Sequence, residues 1–264
     1  MAVQPKSFEE FYYLSEDKIC DVDIVEEYVI RTGGDVGIYE GNMFCPECRK
    51  AILSFVHKTS KKRAHLRRNS SSSHDKDCSY NYDYATSKRV KEYVDSLTYN
   101  EIQDKLNSIL NMLCKKQKFR DGNFVVRDED KVNEQNPMLI LEQKDNTYVL
   151  RALRRKRLNA WIDQSDGEEF SVFYGKVKLG VGEKTKINEC TGEQYTFYFL
   201  EIFTQNKKGE WKYRTKIYRG GKKDEIKTEL IYNIVIIGRL NFNFRPFTID
   251  LANRDAIKYQ EVDE

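Results

Sequence analysis

The sequence predicts an α+β protein. Its N-terminal half reads as helical with a short Cys/His-rich module and a helical hairpin. Its C-terminal half reads as a mostly-β, barrel-like domain. Three observations predict this. Apolar residues recur at helical spacing near the start and again from about 86 to 118. All three histidines and three of the six cysteines crowd into residues 44–80. Beyond 170 the chain turns to alternating, aromatic and β-branched runs. The expected boundaries are an acidic helical segment 1–40, a module 41–82, a helical hairpin plus mixed segment 83–162, and a β domain 168–264, with "DQSDGEE" (163–169) as the break.

Taken in order, Ser7 and Glu10 have the spacing of a capping box before "FEEFYYL". "DIVEEYVIRTGG" reads as a helix that opens at Asp23 and stops at Gly33-Gly34. "AILSFVH" and "RAHLR" are strand candidates joined by the polar turn "KTSKK", and "NSSSS" (69–73) is a low-complexity link. Val90, Val94 and Leu97 share one helical face. Thr98 and Glu101 mark a second capping box, followed by Ile102, Leu106, Ile109, Leu110 and Leu113 on one stripe. "NFVVRD", "MLILEQ" and "TYVLR" are strand-like, and "LRALRRKRLNAW" (150–161) reads as a short basic helix.

Five strand candidates then follow: "FSVFYGKVKLGV", "QYTFYFLEIFT", "EWKYRTKIYRG", "LIYNIVIIGRL" and "PFTIDL". In "YTFYFLEIF" both alternating faces are apolar, the pattern of a strand buried on two sides. In "WKYRTKIYR", Trp211, Tyr213, Thr215 and Ile217 should face one way and Lys212, Arg214 and Lys216 the other. A helical piece at "KKDEIKTE" between the third and fourth strands would complete the OB-like recipe.

At 264 residues, with 39% hydrophobic and 12% aromatic content, the chain can bury a core despite 33% charged residues. Its longest apolar run, "LIYNIVIIG", is too short to span a bilayer, and the first residues lack the pattern of a signal peptide. The expectation is a cytoplasmic protein with no membrane partner and reduced thiols. The net charge of +3 conceals a segregation. Residues 1–40 carry ten acids and three bases, and residues 41–78 carry nine bases and three acids. A basic surface would therefore be local.

Clustered cysteines in a reducing compartment point to metal. Cys45-Pro-Glu-Cys48 is a C-x2-C turn that can direct two sulfurs to adjacent corners of a tetrahedron, with its backbone amides offsetting their charge. His74-x3-Cys78 is an i, i+4 pair, which one helical turn would place on one side. Cys45, Cys48, His74 and Cys78 together make a closed structural Zn site in a zinc-ribbon-like module, with His65 as the rival imidazole. A catalytic zinc would need an open position and a base, for which Glu47 is the only neighbour in the turn. Cys20, Cys114 and Cys190 have no Cys or His neighbour and read as small core residues.

The run "FCPECRKA…KRAHLRR…HDKDC" resembles the N-terminal zinc-finger module of the competence protein CoiA-like family over about 35 residues. Cys45, Cys48, His65, His74 and Cys78 match its pattern. Leu66 stands where that pattern has an aromatic residue, and its second histidine falls near Arg67 or Arg68. The resemblance implies a metal-bound module in a DNA-handling protein. That family often adds a nuclease of the PD-(D/E)xK type. "PMLILEQK" offers Glu142 and Lys144, with Asp128 or Asp130 upstream, but Glu-x-Lys recurs at Glu16, Glu129, Glu210 and Glu225, so the motif is cheap here.

Three basic stretches could meet phosphates. Lys61, Lys62, Arg63, Arg67 and Arg68 crowd the finger. Arg151, Arg154, Arg155 and Arg157 crowd the segment after 150. Lys212, Arg214 and Lys216 lie along one strand. The sequence thus points to a non-catalytic, zinc-stapled protein that binds DNA or RNA, of bacterial or phage type. The alternatives are a protein-interaction factor, such as a phage-encoded inhibitor or a subunit docking on a nucleic-acid enzyme, and an Mg-dependent nuclease.

Overall fold

The structure is a computed structural model that describes residues 6–60, 62–114, 136–144 and 147–262. The chain forms two compact units, Met1–Asp83 with Gln143–Ala152, and Tyr84–Glu142 with Leu153–Glu264. It is mostly β, with 41% strand and 21% helix, which overturns the expected α+β class with a helical N-terminal region.

The first unit opens with β1 (Ser7–Phe8), β2 (Glu10–Tyr13) and β3 (Lys18–Asp21). "FEEFYYL" is therefore extended. Its aromatic residues match a helical period by position, yet every residue of β2 is buried between strand neighbours. Tertiary pairing of a β-prone aromatic run outweighs local capping. Asp17 takes the left-handed conformation (φ 45°) and allows the tight return from β2 to β3. Helix α1 (Val22–Arg31) starts two residues before the expected one, with Asp21 at its N-cap. It does stop at the glycine pair: Gly34 N–H donates to Val29 O (2.9 Å) while Gly33 has φ 73°. Strands β4 (Met43–Phe44), β5 (Leu53–Val56) and β6 (His65–Arg68) complete two small sheets, ordered β1-β6-β5 and β3-β2-β4. Phe8, Phe11, Val25, Met43, Leu53 and Leu66 fill the core between them.

The chain changes unit within β7 (Leu139–Lys144) and again after β8 (Thr147–Ala152). In the second unit, α2 (Ser87–Ser96) and α3 (Tyr99–Cys114) follow the helical stripe read from the sequence. Thr98 and Glu101 close a capping box: Thr98 N–H donates to Glu101 Oε2 (2.8 Å), and Glu101 N–H to Thr98 Oγ1 (3.4 Å). The stripe residues Val90, Val94, Ile102, Leu106, Ile109 and Leu110 are buried against one face of the sheet.

That sheet contains β9 (Arg154–Arg157), β10 (Ser171–Ile187), β11 (Gln194–Gln205), β12 (Trp211–Gly220), β13 (Tyr232–Asn241), β14 (Thr248–Leu251) and β15 (Ile257–Glu261). Its order is β12-β11-β10-β13-β14, with β15 also on β13 and β9 parallel to β10. The expected basic helix at 150–161 is instead the end of β8 and strand β9, because alternating residues there (Lys156, Leu158) turn into the interior. The long β10 pairs with β13 through Val177 and with β11 from Lys178 onward. It turns the corner near Gly175, whose φ of 146° suits glycine alone. The sheet nearly closes as a barrel. Thr215 Oγ1 on β12 donates to Phe247 O beside β14 (2.6 Å) across the gap. Residues 222–229 form no helix, so the OB-like recipe is not met; β9 and β15 are additions the sequence did not signal. Tyr232–Gly238 are all buried. Val235 and Ile237 meet the helices, while Ile234 and Ile236 meet the barrel interior.

Lys105 on α3 is enclosed by this packing. Its ammonium donates to Leu139 O (2.9 Å) and lies 5.5 Å from the Tyr93 ring. Burial pulls its pKa from 10.5 down to about 8. Between those values the unfolded chain holds more protons, so this group's cost is full below about pH 8 and fades as pH rises towards 10.5. Lys105→Met is expected to stabilise the protein at pH 7 by about 2 kcal/mol, after allowing for the lost hydrogen bond. In urea denaturation the advantage over wild type should shrink by pH 10. An equal difference at both pH values would contradict it.

Candidate metal centre

The site is built from two loops. In the first, β4 delivers Cys45, and the chain turns back at once. Cys45 N–H donates to Ala51 O (2.8 Å), Arg49 N–H donates to Cys45 O (3.0 Å), and Arg49 takes φ 54°. The amides of Cys48 and Ala51 point at the sulfurs of Cys45 and Cys48 respectively. A turn of this shape offers two sulfurs inward and partly offsets their charge.

The second loop carries His74 and Cys78. It is not the helical turn that the i, i+4 spacing suggests. Cys78 N–H donates to Asp75 O (3.0 Å), which closes a tight turn of four residues. Glu47 holds the loops together by accepting from Ser79 N–H (2.5 Å) and Ser79 Oγ (2.6 Å), so its carboxylate acts as a clamp. Lys50 adds an ion pair to Asp75 (2.6 Å). The His74 ring is set by aromatic neighbours, with Phe8 at 5.8 Å and Tyr80 at 5.9 Å.

These constraints bring one atom each from Cys45, Cys48, His74 and Cys78 within 4.8 Å of one another. Cys45 Sγ and Cys78 Sγ are 3.8 Å apart. His74 Nδ1 is 3.6 Å from Cys48 Sγ and 3.5 Å from Cys78 Sγ. A tetrahedral ion with sulfur at about 2.3 Å and nitrogen at about 2.0 Å has edges of roughly 3.8 Å between sulfurs and 3.5 Å from sulfur to nitrogen. The residues therefore fit a four-coordinate metal. All four cluster cysteine and histidine side chains are buried or half-buried, and the three cysteines are free thiols.

Three sulfurs this close share protons unevenly. Burial pushes Cys45 up to about 12. Hydrogen bonds from Cys45 and Cys78 pull Cys48 far below the usual thiol range. Cys78 is raised by its hydrogen bonds to Cys45 and Cys48, and then by burial. One thiolate is thus favoured, and a cation is what would bring the others to the same state.

His65 lies outside the cluster. It sits on β6 with Nδ1 3.0 Å from Arg63 O. Cys20 is buried, Cys114 is half-buried against the helices, and Cys190 is exposed in the β10–β11 turn, so the core expectation fails for Cys190.

The basic residues scatter. Near the finger, Lys62 and Arg67 are exposed, Arg63 reaches Glu9 (4.0 Å), and Arg68 donates to the carbonyls of Asn69 and Ser72; Lys61 lies outside the described residues. Lys58 meets Glu26 (3.4 Å) and Arg49 meets Asp17 (3.1 Å), so acids of the first 40 residues neutralise part of the finger. Arg151 pairs with Asp83 (3.3 Å), and Arg154 lies over the Tyr84 ring (4.4 Å). Arg155 and Arg157 are half-buried in β9. Arg151 and Arg154 are thus each engaged within their own unit.

On β12 the expected alternation breaks. The β11 pairing slips between Ile202 and Phe203, and Arg214 is the extra residue. Arg214 turns in to donate to Leu158 O (2.8 Å) and Ala160 O. Thr215 and Ile217 stay inside, while Tyr213, exposed, shares the outer face with Lys216 and Tyr218. Lys212 is exposed and pairs with Glu210 (3.3 Å). Nor is β11 buried on both sides. Leu200 and Ile202 face in, whereas Tyr195 is exposed and Phe197 and Phe199 are half-exposed on the outer face. The sequence showed this aromatic run, but apolar character alone could not mark one face as outward.

For the nuclease reading, Glu142 is paired with Arg89 (3.2 Å), and Asp128, Asp130 and the Lys144 side chain lie outside the described residues. Among the described residues no helix is long and apolar enough to cross a membrane. No family model, curated protein or solved structure matches the chain.

Proposed function

We propose that the chain is a zinc-stapled nucleic-acid-binding protein without catalytic activity. Cys45, Cys48, His74 and Cys78 would hold Zn²⁺ as a closed structural ion, whose role is to cross-link two loops. The observation that carries the reading is the convergence of three sulfurs and one imidazole nitrogen at tetrahedral edge lengths. Three thiolates and an imidazole suit zinc over harder ions. Four protein ligands leave no corner for water, which favours a structural over a catalytic ion. The CoiA-like resemblance supports the same module and its setting in a DNA-handling protein. Exposed Lys62 and Arg67 beside it, and Lys216 on the barrel, supply local positive charge for DNA or RNA phosphates.

The test is fluorescence anisotropy with labelled DNA and RNA from 50 to 300 mM salt. The logarithm of the binding constant should fall linearly with the logarithm of salt, with a slope of roughly −3 or steeper. A second reading, a protein-interaction factor, is favoured by Leu14, Ile30 and Ile38, large apolar side chains exposed in the first unit. No oligonucleotide binding at 50 mM salt, with one stoichiometric protein partner retained at high salt, would replace the first reading with this one.

A further inference from the structure

We infer that the outer face of β10, β11 and β12 is a stacking platform for single-stranded nucleic acid. The inference rests on the nucleic-acid reading above and gives it a surface and a strand type. Tyr195, Phe197 and Phe199 follow one another on alternate positions of β11, all facing out. Tyr218 of β12 joins them, with ring centroids 5.7 Å from both Phe197 and Phe199. Further along the same face, Phe203 meets Tyr213 at 5.6 Å. The slip at Arg214 is what brings Tyr213 to this side. Tyr195, Tyr213 and Tyr218 are 48%, 40% and 61% exposed, so the rings are presented and not packed away.

The neighbouring strand decides what can lie on them. Gly180 and Gly182 of β10 stand beside Glu201 and Phe199, and the Glu201 side chain lies over both glycines. Lys184 and Lys186 of β10 stand beside Phe197 and Tyr195. Both lysines are exposed and make no ion pair among the described residues. Lys216 lies 4.5 Å from the Phe199 ring, and Lys178 lies 5.8 Å from the Trp211 ring. The acid on this part of the face, Glu201, is opposite Lys216 in register.

Aromatic rings at strand spacing, edged with lysines, match the two repeating parts of a single strand: base faces that stack and phosphates that need cations. A duplex hides its base faces, so only its phosphates could be met. A protein partner is the poorer fit, because lysine is depleted at the centre of protein interfaces. Stacking rings and lysines do not discriminate between sugars, so the face should take DNA and RNA single strands alike.

The test uses the full chain with labelled dT20, rU20 and a 20-base-pair duplex at 50 mM salt. Both single strands should bind at least about tenfold more tightly than the duplex. Tyr218→Ala should weaken dT20 binding about tenfold, and Tyr218→Phe should stay within about twofold of wild type, as a stacking ring requires. Removing Lys184 and Lys186 together should flatten the salt slope by about 1.4. Thermal melts of each variant check that it is folded. If the duplex binds as tightly, or Tyr218→Ala is neutral while Arg67→Ala weakens binding, the platform is wrong and the nucleic-acid reading survives. If no oligonucleotide binds, both fail, including the case where Tyr218→Ala releases a protein partner.

Discussion

Cys45→Ser is expected to abolish metal binding and to unfold the first unit. Cys45 is fully buried and Cys78 is 2% exposed, so their sulfurs sit inside the core they cross-link. Phe8, Met43, Leu53 and Leu66 pack around them. Two short three-stranded sheets and one helix make a small core, and small domains depend on such staples. A structural zinc contributes about 10–16 kcal/mol of apparent folding free energy in finger-sized units, which is comparable to the whole stability of a domain at about 5–15 kcal/mol. Serine supplies no thiolate. It also leaves the other sulfurs and the His74 nitrogen in a pocket without their ion. Elemental analysis should give one zinc per wild-type chain and close to none in the variant. Limited proteolysis should cut the variant within residues 6–83 while the β-rich unit resists. Wild type treated with a strong chelator should behave in the same way. A variant that keeps its metal, or that loses it and melts as wild type does, would sink the staple.

Asp224→Asn is expected to be strongly destabilising for the second unit. Arg219 and Asp224 form an ion pair whose side chains are only 5% and 2% exposed, with Nε to Oδ2 at 2.8 Å and Nη2 to Oδ1 at 3.2 Å. Arg219 also donates to Arg254 O (3.1 Å), and Tyr259 Oη donates to Asp224 Oδ1 (3.3 Å). This network pins the irregular segment after β12 to β15. Removing the carboxylate charge leaves a buried guanidinium without compensation, which typically costs about 3–5 kcal/mol. For a unit of this size that is a fall in melting temperature on the order of 10 °C. Replacing both partners, as Arg219→Met with Asp224→Leu, should recover much of the loss, because a well-packed apolar pair avoids desolvating two ions. A double-mutant cycle followed by circular dichroism measures the coupling. A loss below about 1 kcal/mol for Asp224→Asn would show that the pair is dispensable.

The contrast between the two halves explains what could be read in advance. The helices α2 and α3 and strands β10 to β14 were legible, because each has a long period or alternation bounded by caps and turns. Residues 6–21 were not. Phe8, Phe11 and Tyr12 satisfy a helical spacing, and only their partners on β3, β4 and β6 show that they lie in sheets. At 150–161 a dense run of arginines reads as a short basic helix. Its pairing with β10 buries Lys156 against Asp166 (2.7 Å) and turns the run into a strand.

The four candidate ligands could be named from spacing alone because the chemistry of cysteine and histidine is local: two residues between sulfurs already define half a tetrahedron. Chain order alone does not decide which imidazole completes it. His65 and His74 are both close in sequence, and only the β5–β6 pairing, which carries His65 away, and the Glu47–Ser79 clamp, which draws His74 and Cys78 in, separate them. The outward aromatic face was likewise present in "YTFYF" but carried no sign of direction. A single slipped pair at Arg214 sets which rings meet water, and such a slip is a property of two strands together. Residue type and short-range spacing therefore determined the chemistry on offer, while long-range pairing decided which groups meet, since its energy depends on partners distant in the chain.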